Sequence, residues 1–156
     1  MLSLRKLGFT MIELLIVIAV LGILAVAVLA AINPIEQINR GRDTGSRSDA
    51  EQLLSAIDRF YASQGYYPWQ FSADNSANEP LAWTEAPLVT DVIDVSVPGD
   101  AAELMLAKLS TGGTSEIKTS FVTRISESDY NTLYVYNRGT QGDSTYICFE
   151  PKSGSF

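Results

Sequence analysis

The chain of 156 residues has no histidine and a single cysteine, Cys148. Without histidine it lacks the commonest general base, the usual serine and cysteine triads, and the ligand most zinc sites need. A lone cysteine excludes an internal disulfide and a CxxC site. Positive charge is also scarce: 11 Lys and Arg stand against 18 Asp and Glu, for a net charge of −7. Two of the cations, Arg5 and Lys6, precede the first long apolar run, so the remainder is more acidic still. An acidic surface repels phosphate backbones, and no direct nucleic-acid binding is expected. Nor is an enzyme: a carboxylate or metal mechanism would need its acids gathered, and here they are scattered through loop-like stretches.

What is abundant is apolar sequence near the start. Arg5 to Ile32 reads RKLGFTMIELLIVIAVLGILAVAVLAAI. A charge interrupts the apolar part once, at Glu13, and the 19 residues from Leu14 to Ile32 carry none. As a helix that stretch spans about 28 Å, close to one bilayer hydrocarbon core. It is apolar on all sides, as a membrane span or the inside of an assembly must be. Cations ahead of it and acid behind it predict a single-pass protein with a cytoplasmic N-terminus and a translocated remainder. An ordinary secretory signal is the competing reading, since Ala25-Val26-Ala27 satisfies the small-residue cleavage rule. Such signals have shorter apolar regions, and a carboxylate has no purpose in a discarded segment. Inside a bilayer a carboxylate costs about 2–3 kcal/mol, so Glu13 calls for an explanation.

Asn33-Pro34 follows the run and predicts a kink or local break. Beyond it, Ala50, Leu53, Leu54, Ile57, Phe60 and Tyr61 recur at helical spacing, so a helix is expected from about Thr10 to Ala62, weakest around Gly41–Gly45. Arg40, Arg42 and Arg47 are read as a solvated face beside Asp43 and Asp49 rather than a contact with a neighbouring copy. Gly65, then Pro68, ends the helix. Phe71 to Pro98 reads as loop, and Asp100 as the cap of a short helix over Ala101–Leu109. Ile117–Ile125, Leu133–Tyr136 and Ser144–Phe149 carry the β-branched and aromatic residues of a three-stranded antiparallel meander. The predicted fold is α+β: a long N-terminal apolar helix, kinked near Pro34, whose amphipathic second half packs on a small C-terminal antiparallel sheet. On the strand Tyr146–Phe149, Cys148 is expected to be a small core residue.

The stretch Arg5-Lys6-Leu7-Gly8-Phe9-Thr10-Met11-Ile12-Glu13 resembles the class III leader of type IV pilins and pseudopilins. That family pattern is a short basic leader ending in glycine, then phenylalanine to start the mature chain, with glutamate as its fifth residue. Gly8, Phe9 and Glu13 match each position. Ser46 to Pro68 is similar, less specifically, to the family's passage from stalk to head. The resemblance implies a leader over residues 1–8, a stalk helix over 9–62 with residues 14–32 as span and filament core, and a globular head over 63–156. It implies cleavage between Gly8 and Phe9 and methylation of the new amine by a membrane prepilin peptidase. The subunit would be stored in the inner membrane, handed to an assembly platform, and polymerised with like subunits into an extracellular or periplasmic filament. The alternative is a secreted binding domain released after Ala27.

Cleavage before Phe9 would create an α-amine with a reference pKa near 8, close to a carboxylate with one near 4.3. In an apolar setting each needs a partner, and the helix places them poorly for pairing within one chain. The expectation is that Glu13 of one copy pairs with the Phe9 amine of the next and sets the axial register. This chain departs from many adhesive pilins in having no disulfide, and its proline lies at the end of the apolar run rather than within it. No cofactor is expected. The calcium site that major pseudopilins carry would have to draw on Asp91, Asp94, Asp129 or Asp143, none of which lies in a run of oxygen ligands.

Overall fold

A computed structural model describes residues 8–70, 80–90, 103–111, 115–139 and 143–154. The chain falls into two compact units divided between Ile38 and Asn39.

The first unit contains the apolar helix α1, Met11–Ala31, in which no residue is buried. It is one helix long and apolar enough to cross a membrane, about 31 Å at 1.5 Å per residue. The local break expected at Pro34 falls just before it. Ile32 is extended (φ −98°, ψ 129°), and α2 begins at Pro34 and runs to Gln64. Proline at the first helical position has no N–H to leave unpaired, and the Asn33 carboxamide accepts the Glu36 N–H at 3.4 Å, capping the new helix.

In the second unit α2 presents two kinds of buried surface in succession. Leu53, Ala56, Ile57 and Phe60 form an apolar stripe, as the spacing predicts. Ahead of them Asp43, Ser46 and Asp49 are equally buried, a polar stripe that the periodicity of apolar residues does not reveal. The Asp43 carboxylate accepts the backbone N–H groups of Lys152 (2.9 Å, Oδ1) and Ser153 (2.8 Å, Oδ2), with the Asn131 carboxamide at 3.5 Å. The Asp49 carboxylate accepts Arg124 Nη2 at 2.5 Å and the Tyr130 hydroxyl at 2.6 Å. Burial pushes the Tyr130 phenol well above its ordinary range, and Asp49 adds to that because a phenolate beside a carboxylate is repelled. The helix ends at Gly65, whose N–H bonds Tyr61 O at 2.8 Å from a left-handed φ of 80°.

Three strands form the sheet in the order β1 (Leu81–Glu85), β2 (Leu133–Asn137), β3 (Tyr146–Phe149), with both pairings antiparallel. A 3-10 turn at Ala86–Leu88 and the short helices α3 (Met105–Ser110) and α4 (Thr119–Ile125) lie between β1 and β2. Leu133 and Val135 of β2 face inward and share one core with Leu53 and Ile57 of α2, Met105 and Leu109 of α3, and Phe121 and Ile125 of α4.

Three expectations about secondary structure are corrected. Ile117–Ile125 is not a strand; its last seven residues form α4. Ile117, Phe121 and Ile125 recur every four residues, a spacing that fits a period of 2 as well as one of 3.6. Val122 distinguishes them: it packs on the core beside Phe121, which only a helix permits. The third strand is instead Leu81–Glu85, inside the stretch read as loop. The short helix begins at Met105, with Leu104 as its cap, while Asp100 and Ala101 lie outside the described residues.

Cys148 is exposed, not in the core. On β3 it is Ile147 and Phe149 that pack inward, so Cys148 stands on the opposite face, paired in register with Tyr134. Partial burial still pushes its thiol above the ordinary value. The folded chain is therefore expected to take up one maleimide per molecule without denaturant, more slowly than free cysteine and faster as pH rises. Mass spectrometry of labelled protein checks this; labelling only after unfolding would contradict it.

The Asp43 pocket makes stability depend on acid. Burial alone raises this carboxyl, but donation from the Lys152 and Ser153 N–H groups and the Lys152 charge outweigh it and hold the group below the ordinary value near 3.9. A depressed folded value stabilises the fold above the unfolded value, and that contribution is lost as pH falls through the folded one. Thermal melts are thus expected to show Asp43→Asn less stable than wild type at neutral pH, with the gap closing on acidification below about pH 4. A gap independent of pH would refute the assignment.

Candidate functional site

The sequence singles out Gly8, Phe9 and Glu13, and the structure brings them together at the exposed start of α1. Gly8 and Phe9 precede the helix, and Phe9 is 85% exposed. A Cβ placed on Gly8 would meet nothing within 4 Å, so the fold itself imposes no requirement for glycine there. Arg5 and Lys6 lie outside the described residues.

A residue that reasoning from sequence passed over is Thr10. It caps α1, accepting the Glu13 N–H on its hydroxyl oxygen at 3.3 Å. Its own N–H donates to Glu13 Oε2 at 2.8 Å, and its hydroxyl donates to the same oxygen at 2.7 Å. This is a reciprocal capping box, and Thr-x-x-Glu immediately before an apolar run was the legible signal for it. The carboxylate thereby satisfies an orphan N–H at the positive end of the helix dipole, a position that favours negative charge. Only Oε2 is engaged; Oε1 accepts no hydrogen bond among the described residues. The box lies wholly on the Phe9 side of the Gly8–Phe9 bond, so loss of residues 1–8 leaves it intact.

The other candidates converge on nothing comparable. Asp91 and Asp94 lie outside the described residues, and Asp129 is exposed on the loop before β2. Among the described residues no three acidic or cysteine side chains are grouped as a metal site would require. An open groove of about 760 Å³ runs beside α2 and α4. Four of the charges lining it are engaged in pairs: Arg59 with Glu116 at 2.7 Å, Arg124 with Asp49, and Glu51 with Arg47 at 3.4 Å, the last two both exposed. Of the arginines past the span, Arg47 is thus part of an ordinary i, i+4 surface pair.

Fold and site together define a class: an α+β domain following a membrane-length apolar helix that opens with a capped carboxylate. Residues 4–29 match the prokaryotic N-terminal methylation motif. The chain is also similar to the fimbrial protein EcpC of Eikenella corrodens, 33% identical over 105 residues that cover 67% of this chain and 64% of that protein. No solved structure gives a significant match. The motif and the fimbrial relative support the type IV pilin family, as the leader resemblance implied. The chain spans a little under two thirds of that relative's length.

Proposed function

We propose that the protein is a structural subunit of a type IV pilus or of a pseudopilus of the type II secretion kind. In this reading a prepilin peptidase cuts between Gly8 and Phe9 and methylates the Phe9 amine. The subunit then waits in the inner membrane with α1 in the lipid, and an assembly platform moves it into a filament of like subunits outside the membrane. The observation that carries the reading is the state of Glu13. It is held by Thr10 through one oxygen, at the head of a helix that buries nothing within its own chain. The free oxygen is an acceptor available to the Phe9 amine of a neighbouring subunit. An α1 with no buried residue gains its contacts from lipid before assembly and from other copies afterwards.

Mass spectrometry of the mature N-terminus tests the proposal. A chain starting at N-methylated Phe9 is expected. A chain starting at Val28 would replace the proposal with a secreted domain released after Ala27.

A further inference from the structure

The first half of α2 is helical against its own composition. Residues 41–48 read Gly-Arg-Asp-Thr-Gly-Ser-Arg-Ser, and six of these eight are poor helix formers. The Thr44 hydroxyl donates to Arg40 O at 2.8 Å, a back-bond that further loosens a helix. The two glycines have no packing reason: a Cβ on Gly41 or Gly45 would meet nothing within 4 Å. By contrast, six of the eight residues 50–57, Ala-Glu-Gln-Leu-Leu-Ser-Ala-Ile, are good helix formers, and the stretch includes buried apolar side chains.

Residues 39–49 are tied to the rest of the second unit by hydrogen bonds to two distant parts of the chain, among other contacts. Residues 152–153 supply one of them: Lys152 N and Ser153 N donate to Asp43, and Asn39 Nδ2 donates back to Lys152 O at 3.2 Å. Arg124 and Tyr130 hold Asp49. A stretch anchored by directional bonds to a few atoms loses its anchor when one donor leaves, whereas an apolar stripe loosens only by degrees.

We propose that residues 41–48 are a conditional helix, kept helical by the docking of Lys152–Ser153 on Asp43, and that undocking melts this segment while Leu53–Gln64 and the sheet stay folded. Lys152 and Ser153 are then a latch on the connector that leads to the apolar helix. A ligand or subunit that engages residues 150–154 would change the connector without touching it. The proposal rests on the fold alone and stands whether or not the chain forms filaments.

Hydrogen exchange of the full-length chain in detergent micelles, read by mass spectrometry, tests it with two variants. Asp43→Asn weakens the acceptor, and Ser153→Pro removes one donor from the other side. Both are expected to speed exchange across 41–48 by roughly ten-fold or more, the loss of at least one charge-assisted hydrogen bond, and to leave that segment far less protected than residues 53–64 and β2, which keep the protection set by the remaining global stability. Adding Gly41→Ala with Gly45→Ala should restore protection, by about five-fold per glycine, because alanine removes the need for the latch. Equal protection of 41–48 and 53–64, in wild type and in both variants, would overturn the proposal by showing a single cooperative unit. So would unchanged exchange in 41–48, or a selective loss that the alanines fail to reverse.

Discussion

Glu13→Leu is expected to insert and to be cleaved and methylated as wild type, yet to be depleted from filaments by about ten-fold or more when the two are co-expressed. Two effects push the same way. Leucine removes a carboxylate from a membrane-length helix, which stabilises the stored state by about 2–3 kcal/mol. It also removes the acceptor proposed for the neighbouring Phe9 amine, which destabilises the assembled state. Thr10→Ala separates capping from charge. It deletes the hydroxyl that bonds Glu13 but keeps the carboxylate, so only the cap is lost, about 1 kcal/mol. Its incorporation should therefore fall far less than that of Glu13→Leu. The measurement is the mutant-to-wild-type ratio in sheared filaments relative to the membrane pool. Equal ratios in the two fractions would remove Glu13 from assembly.

Leu53→Ala is expected to be the most damaging single truncation in the second unit, at about 2–5 kcal/mol. Leu53 is completely buried, in one cluster with Met105, Leu109, Leu133 and Val135. It therefore ties α2 to α3 and to the central strand. Close packing on all sides leaves little scope for collapse into the vacated space, and the cost should lie in the upper half of that range. The melting temperature should drop by roughly 10 °C or more. Tyr146→Ala serves as the comparison, because Tyr146 is 54% exposed and its loss should fall within about 0.5 kcal/mol. Thermal unfolding of both variants decides the matter; similar shifts for the two would mean that the core is not centred on Leu53.

The elements that were legible in the sequence share one property: their signal is local. The methylation motif is recognised from a run of consecutive residues, and the apolar helix from its composition alone. The stripe Leu53, Ile57, Phe60 follows from helical spacing alone. The misreadings arise where two periods coincide or where the signal is weak. Ile117, Phe121 and Ile125 satisfy strand and helix alike, and Leu81–Glu85 is a five-residue strand next to Ala86-Pro87 that lies in a loop-like stretch. Cys148 was assigned to the core because alternation fixes which residues share a face but not which face is inward. At the site, Phe9 and Glu13 were legible and Thr10 was overlooked, although its Thr-x-x-Glu spacing was present.

The sequence by itself determined that a membrane-length helix begins with a glycine, a phenylalanine and an offset glutamate, because covalent order and hydropathy need no partner to be read. It also determined that an amphipathic helix and a small antiparallel sheet would follow. Tertiary structure alone decided that Asp43 and Asp49 are buried and that Lys152 and Ser153 close on the first of them. Those contacts join residues more than 70 positions apart. Neither composition nor spacing encodes such a pairing, since a buried carboxylate looks like a solvated one until its donors have been brought to it.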